Sequence, residues 1–285
     1  MHHFADDTNL LLSSKSLKKL TLNINHDLTC LCEWLRSNKL SLNVSKTELI
    51  VFNRPNTKLD YKYKFKIDGH KIKPKYTIKY LGLLLDDHLS WKPCISLVKN
   101  KLTRAIGIIS KLRHCTPLPF LKTVYHALFG SHLNYGCQLW GLSNETHTNS
   151  IQILQNRALR KLTFNNIFAN TSPLFKELNI IKFNDQIHLY NCIFMFQFEN
   201  NLLPQSFNSF SNLVSNEHNY NTRAVATGLH VVPTINTHNY GTLSIRNNCI
   251  NDWNNFKRLF PQHINENLSI HKIKNLFCNL VYSQY

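Results

Sequence analysis

The sequence predicts an α+β fold in which hairpins and one long helix are followed by a mostly helical body. Three observations lead there. Eight Gly and nine Pro among 285 residues imply few tight turns, so long helices rather than many short strands carry most of the chain. Strict alternation of charged and bulky residues, the mark of a half-buried strand, falls within residues 1–90. From Trp91 onward apolar residues recur every three or four positions, the period of one helix face. The expected divisions are 1–90, 91–180 and 181–285, the last containing a polar, loop-rich stretch near 204–242 that reads as a boundary or mobile segment. A hydrophobic fraction of 43% and an aromatic fraction of 11% exclude a disordered chain.

Taken in order, Phe4-Ala5-Asp6-Asp7 sets two adjacent carboxylates behind an aromatic–small pair. That pattern suits a β-turn whose Asp side chains lean toward one hard, oxygen-seeking cation such as Mg²⁺; taken alone, it is equally an ordinary polar turn. A helix is expected over 14–37, with Leu17, Leu20, Ile24, Leu28, Leu31 and Leu35 on one face and Asn38 at its end. Lys15, Lys18 and Lys19 crowd its first turns, where the helix dipole disfavours cations, so they serve something other than helix stability. An extended piece at 40–43 leads through Ser45-Lys46-Thr47 into an apolar strand at 49–52.

Residues 62–67 alternate charge and bulk, Asp68-Gly69 supplies a two-residue hairpin turn, and 70–73 runs back. This sets Lys66 opposite Lys71 and Lys64 opposite Lys73. Like charges face to face destabilise a hairpin, so that face is either fully solvated or close to phosphates. Residues 80–85 read as a buried strand closed by Asp86-Asp87. The helix from Trp91 turns Ile95, Val98, Leu102, Ile106, Ile109 and Leu112 inward, with Arg104 and Lys111 opposite and Lys99 at the flank. Pro117 and Pro119 end it. Further helices are expected near 120–133, 150–162, 173–178, 184–199, 243–256 and 270–281.

The net charge is +17 and unevenly placed: between Asp87 and Glu177, eleven Lys and Arg stand against one acid, Glu145. A solvated helical surface mixes both signs, so this bias points to a polyanionic partner, nucleic acid above all. Compositional drift toward Lys and Asn is the competing explanation. There is neither an apolar run of membrane-spanning length nor a charged-then-apolar leader. Neither membrane insertion nor secretion is expected, and the expected location is intracellular, nuclear or cytoplasmic. Cys30, Cys32, Cys94, Cys115, Cys137, Cys192, Cys249 and Cys278 are scattered through apolar helical contexts and read as reduced, core-filling thiols. Cys30-x-Cys32 and the His188/Cys192 pair lack a second pair, which argues against zinc.

The order of these motifs brings a family into view. Phe4-Ala5-Asp6-Asp7-Thr8, then Trp34-Leu35-Arg36-Ser37-Asn38-Lys39-Leu40, then Leu42-Asn43-Val44-Ser45-Lys46-Thr47-Glu48 open the series. Ile67-Asp68-Gly69 and Tyr80-Leu81-Gly82 with Leu89-Ser90-Trp91 continue it. In that order they resemble the reverse transcriptase of non-LTR (LINE-type) retrotransposons, Jockey- and CR1-like elements especially. Leu133-Asn134-Tyr135-Gly136, Leu139-Trp140-Gly141, Gln155-Asn156-Arg157-Ala158-Leu159-Arg160 and Tyr220-Asn221-Thr222-Arg223 extend the resemblance over most of the chain.

The resemblance implies a truncated reverse-transcriptase palm (hairpins plus one long helix), then a helical basic thumb and a C-terminal helical region. It implies RNA-directed DNA synthesis, a nucleotidyl transfer in which carboxylates hold two cations about 4 Å apart. Asp6 and Asp7 would be the catalytic Mg²⁺ ligands at the tip of the palm hairpin, with Asp6 the direct one. Lys46 would stand near the outgoing pyrophosphate and supply charge or a proton. Tyr80, Leu81 and Gly82 would form the primer grip, whose backbone approaches the primer terminus as Gly82 permits. Lys99, Arg104, Lys111, Arg157, Arg160 and Lys161 would follow the backbone of the template–primer duplex. The implied partners are an RNA template and a DNA primer, with no small-molecule cofactor beyond the dNTP and no membrane.

On the residues alone other readings stay open: Lys46 as an exposed turn residue, Tyr80 as core packing, and 157–161 as a solvated helix face. The family's third palm carboxylate, its dNTP-binding fingers and its template-positioning helix all precede the Phe-Ala-Asp-Asp turn, which here opens at residue 4. Asp86-Asp87 comes too late in the order to substitute. The expectation is a partial polymerase, inactive alone, with weak or absent Mg²⁺ binding, and with Ile50, Phe52 and Leu83 deprived of palm partners. The alternative is a non-catalytic basic nucleic-acid-binding helical module. A helical scaffold that binds protein through apolar surfaces is disfavoured by the basic bias.

Overall fold

The computed structural model describes residues 2–4, 7–55, 57, 64–217, 220, 222–263 and 268–285. The chain divides into two compact units, Met1–Pro93 and Cys94–Tyr285.

In the first unit, β1 (His2–Phe4) pairs antiparallel with β2 (Asp7–Asn9), Phe4 opposite Asp7. Helix α1 (Leu17–Ser37) starts three residues later than its pattern suggests, because Ser16 takes the extended N-cap conformation. It ends at Asn38, whose N–H returns to the Trp34 and Leu35 carbonyls. The face that packs holds Ile24, Leu28 and Cys32, together with Thr21, whose hydroxyl donates to the Leu17 carbonyl at 2.9 Å. That internal bond is what lets a threonine enter an apolar stripe.

Strands β3 (Phe65–Ile67) and β4 (His70–Ile72) form the expected hairpin. Asp68 and Gly69 both take positive φ, 48° and 78°, as a two-residue turn between twisted strands requires. Lys66 faces Lys71 as expected, and both are exposed to solvent; Lys64 and Lys73 lie beyond the ladder, so their expected pairing is not made. Phe65 and Ile67 point inward against Ile24, Leu28, Cys32 and Val51. Asn25 of α1 fastens the hairpin's outer edge: its Oδ1 accepts from the Lys66 N–H at 2.9 Å and its Nδ2 donates to the Lys64 carbonyl at 3.1 Å.

Two strand expectations need correction. Residues 49–52 do not form a ladder. The Leu49 carbonyl accepts from Lys75 N–H at 2.8 Å, and the Asn53 N–H donates to Asp87 at 3.0 Å; these lone bonds to different segments leave an extended but unladdered piece that still buries Val51. Nor are residues 80–85 one buried strand. They bend at Leu81 and Gly82 (φ 44° and 82°), so β5 (Thr77–Tyr80) folds back on β6 (Leu83–Asp86) with Tyr80 opposite Leu83. The hairpin is only half-buried up to Leu85. A leucine in the left-handed region is uncommon, and the unbroken apolar run hid the turn. Phe52 is exposed, while Ile50 and Leu83 are half-buried.

The second unit is helical. Helix α2 (Lys92–Leu112) buries Ile95, Val98, Leu102, Ala105, Ile106 and Ile109. A continuous helical run follows: α3 (Leu118–Val124), a wider i→i+5 stretch over Tyr125–Gly130, and α4 (Ser131–Asn134). Then come α5 (Cys137–Trp140), α6 (Glu145–Leu162), α7 (Ser172–Glu177), α8 (Phe183–Glu199), α9 (Arg223–Ala226), α10 (Ile245–Leu259) and α11 (Ile270–Gln284). Helix α6 begins five residues earlier than expected. Its polar first turn shows no apolar period, but Glu145 there suits the positive end of the helix dipole.

Side-chain bonds cross position 180. Gln155 of α6, 1% exposed, donates to the Ile181 carbonyl (2.9 Å) and to Tyr125 Oη (3.2 Å), and accepts from the Phe183 N–H (2.8 Å). It thereby satisfies an orphan donor at the start of α8. Helices α8, α10 and α11 close around Cys192, Met195, Cys249, Ile250, Trp253 and Ile273.

All eight cysteines are free. Five fill cores as expected, but Cys30 and Cys115 are exposed and Cys278 is half-buried, since each sits on the outer side of its segment. Burial pushes the Cys137 thiol up to about 12 and raises Cys192 and Cys249 as well, so these thiols stay protonated.

Several described residues of the stretch 204–242 are tied down by backbone bonds. Leu213 bridges His230, Val214 N–H donates to Leu229, and Val231 N–H donates to Asn212. Below it, Glu199 Oε1 accepts from His230 Nε2 (2.7 Å), Trp253 Nε1 (2.8 Å) and Lys257 Nζ (2.5 Å). Lys257 also donates to the Gly228 carbonyl at 2.7 Å. The Asn254 side chain closes both backbone groups of His230.

Burial pushes the Glu199 carboxyl up, but bonds from His230, Lys257 and Trp253 outweigh it and leave its pKa below the usual value of 4.5. Glu199 therefore binds its proton more weakly folded than unfolded. Its stabilisation is complete above the unfolded value and is lost as pH falls through the folded one. Replacing it strands a buried lysine, so Glu199→Ala should cost about 3–5 kcal/mol in urea unfolding and flatten the acid limb of the stability–pH curve. In the first unit the buried Asp86 carboxylate accepts from the Ser90 and Trp91 N–H groups, both at 2.9 Å. Asp86→Ala should destabilise that unit by about 1–3 kcal/mol, read as a lower urea midpoint.

Candidate functional site

The β1–β2 pairing sets Phe4 opposite Asp7. Asp6 and the side chain of Asp7 lie outside the described residues, so the catalytic and metal-ligand expectations for them fall there too. Their frame is described. Asn9, at the far end of β2, donates from Nδ2 to Tyr80 Oη at 2.9 Å, tying the Asp-bearing strand to the end of β5. Leu10 and Leu12, next along the chain, pack into the same core as Leu42 and Val44, which lead directly to Lys46. The strand of Asp7, the turn of Lys46 and the hairpin of Tyr80 thus belong to one compact unit.

Lys46 closes a single 3₁₀ turn over Val44–Lys46. Asn43 Oδ1 shapes it by accepting from Ser45 Oγ (2.7 Å) and the Lys46 N–H (3.3 Å). The Lys46 side chain is exposed and makes no ion pair among the described residues. Tyr80 is half-buried at the last position of β5, and Leu81 and Gly82 form the turn itself. Gly82 is required there for its positive φ.

Neighbouring acids serve local contacts. Glu48 pairs with Lys75 at 2.5 Å, Asp68 pairs with Arg36, Asp86 holds its two N–H groups, and Asp87 lies 3.9 Å from His88. Among the described residues no three His, Cys, Asp or Glu side chains converge on a common point.

In the second unit Arg104 and Lys111 are exposed opposite the buried face of α2, roughly 10 Å apart along its axis. Lys99 is half-buried at the flank. On α6 Arg157 is exposed, while Arg160 and Lys161 are half-buried. Arg160 Nε donates to the Ala169 carbonyl at 2.9 Å and fastens the turn that follows the helix. Burial, reinforced by Lys122 beside His126 and by Lys101 beside His132, lowers both imidazole pKa values and keeps them neutral at pH 7.

Several sequence landmarks turn out to be packing devices. Gly136 takes φ 64° to join α4 to α5. Trp140 is fully buried, stacks on Phe183 at 5.2 Å and donates its indole N–H to Tyr135. A Cβ on Gly141 would lie 2.4 Å from the Cys137 carbonyl and 2.6 Å from Ile187, so only glycine fits after that tryptophan. In Tyr220–Arg223, Thr222 Oγ1 accepts from the Val225 N–H at the start of α9.

Two features were missed from the sequence. The Glu199–His230–Lys257 network joins segments too distant for any local pattern to signal. The Arg113 guanidinium lies 3.7 Å from the centre of the Phe164 ring, again between residues far apart in the chain.

No family model and no solved structure matches the chain, but curated relatives do. The "RNA-directed DNA polymerase from mobile element jockey" of Drosophila melanogaster is 26% identical over 188 residues, covering 65% of this chain and 20% of that protein. From the same organism, the "Probable RNA-directed DNA polymerase from transposon X-element" is 25% identical over 192 residues, 66% and 21% of the two chains. The corresponding protein from transposon BS is 27% identical over 187 residues, 65% and 20%. The chain spans about a fifth of the length of these curated relatives. In motif order and in this shared stretch of sequence alike, the chain is similar to RNA-directed DNA polymerases of mobile elements.

Proposed function

We propose that the chain is part of an RNA-directed DNA polymerase of a mobile element, working on an RNA template and a DNA primer. The observation that carries this reading is the Asn9–Tyr80 bond with the shared core beside it. It gathers the acidic hairpin, the Lys46 turn and the Leu81–Gly82 hairpin into one unit, as a polymerase site would need. In this reading the first unit is part of a palm, and the basic helices from α2 onward serve as thumb and following region.

Asp6 and Asp7 offer an all-oxygen donor set that fits Mg²⁺. When bound, the cation would supply activation of the primer 3′-OH and neutralisation of the leaving phosphate. The exposed Lys46 ammonium would add positive charge where the pyrophosphate leaves. The Leu81–Gly82 turn would present backbone to the primer, and Arg104 with Lys111 would meet successive phosphates of the duplex.

Two carboxylates underfill a Mg²⁺ shell, and Glu48, Asp68, Asp86 and Asp87 are held in local contacts. The 285-residue polypeptide on its own should therefore give no template-directed extension of a primed RNA; robust synthesis would overturn that account of the site. Supplied in trans with a polymerase segment that carries a further palm carboxylate, it should support synthesis that Asp6→Asn abolishes. The alternative, a non-catalytic basic module, is favoured by the Arg104–Lys111 face and predicts duplex binding without any such rescue. In both readings, Arg104→Ala with Lys111→Ala should weaken binding to an RNA–DNA hybrid and reduce its salt slope by about one unit per lost contact.

A further inference from the structure

We propose that the turn after α6, residues 163–170, forms with Arg113 a binding surface for single-stranded RNA. This rests on the polymerase reading and deepens it, because it assigns the unpaired part of the template a place apart from the duplex-facing side of α2.

The surface is built to display apolar groups. Phe164, Ile167 and Phe168 are 55%, 65% and 86% exposed. They are not carried on a free strand of chain. The Asn165 N–H donates to the Arg160 carbonyl at 3.1 Å, Asn166 Oδ1 accepts from the Phe168 N–H at 3.2 Å, and the Arg160 side chain holds the Ala169 carbonyl. A closed turn that holds three large apolar side chains in water marks a binding surface more than a packing accident.

Charge selects the partner. The Arg113 guanidinium lies flat enough on Phe164 to sit 3.7 Å from the ring centre, and its Nε is buried without a hydrogen-bond partner. No carboxylate ion-pairs with Arg113, Arg157, Arg160 or Lys161 among the described residues. Elsewhere Arg36 and Lys257 do have acid partners. Glu145, the one acid between Asp87 and Glu177, stands at the opposite end of α6. An apolar protein partner has no need of so many unneutralised cations; a polyanion does.

Rings beside cations select unpaired bases. A duplex keeps its bases stacked on one another and offers a side chain mainly phosphate and sugar, whereas a single strand offers ring faces as well. The α2 face with Arg104 and Lys111 has no aromatic residue at all and suits phosphates alone. The 163–170 turn supplies both: Phe168 and the Phe164–Arg113 stack for bases, Arg157 and Lys161 for phosphates.

The test is fluorescence anisotropy of the full chain with a short unstructured uridine-rich RNA, alongside an RNA–DNA hybrid. Phe168→Ala should weaken RNA binding about tenfold, leave the melting temperature unmoved because the ring is so exposed, and leave hybrid binding intact. Phe168→Trp should restore or tighten RNA binding, and Phe164→Ala should act in the same direction as Phe168→Ala. The double α2 variant should show the converse pattern, with loss on the hybrid and little change on RNA. RNA affinity indifferent to Phe168→Ala overturns the surface. So does self-association of the chain that Phe168→Ala abolishes while RNA binding persists. Single-stranded DNA of the same sequence bound more tightly than the RNA overturns the choice of RNA. A hybrid affinity insensitive to the α2 variant counts instead against the polymerase reading, so the two failures are distinguishable.

Discussion

A two-stranded hairpin leaves both of its edges unpaired, and the first unit is made of three such hairpins that share no ladder among the described residues. Hairpins of this size do not stand alone in water. Their unpaired backbone groups and apolar faces must be satisfied by something other than a neighbouring strand. Helix α1 does most of this. It covers Phe65 and Ile67 with Ile24, Leu28 and Cys32, while Asn25 takes the place of an edge strand for Lys64 and Lys66. Asn9 links the acidic hairpin to β5 differently, by donating to the side-chain hydroxyl of Tyr80. The acidic hairpin is therefore tied to its neighbour through the Asn9 side chain and, among the described residues, not through a continuous sheet.

The second unit solves a different problem with the same kind of device. Two of its connections are secured by polar side chains that each gather several hydrogen-bond partners. Gln155 ties α6 to the start of α8, and Glu199 ties α8 to α10 and to the 228–230 segment. Such groups cost a great deal if left unpaired and little when saturated, so they specify one arrangement over its near neighbours. Through Glu199, Asn254 and Lys257 the 228–230 segment is thereby held to α8 and α10.

The placement of charge divides the surface by task. Cations that build the fold are paired: Arg36 with Asp68, Lys75 with Glu48, Lys257 with Glu199. Those on the outer face of α2 and around the end of α6 lack acid partners among the described residues. One of these faces offers charge alone, and the other offers charge with exposed rings.

What the sequence by itself determined is what depends on neighbours along the chain. The three-and-four spacing of α1 and α2, the Asp68–Gly69 turn with its Lys66–Lys71 register, and the ordered motifs behind the polymerase likeness were all legible from local periodicity and turn chemistry. The outward direction of Arg104 and Lys111 followed from the same period. Tertiary structure decided the rest. Leu81 adopts a left-handed turn that no propensity favours, because β5 and β6 must pair. Residues 49–52 form no ladder, because the bonds at their two ends go to different segments, at Lys75 and Asp87. Asp86 became a cap for Ser90 and Trp91, Glu199 an anchor for His230 and Lys257, and Phe164 a platform for Arg113. Each of these joins groups whose meeting is set by packing across the fold, and an interaction between distant residues leaves no period in the sequence to read.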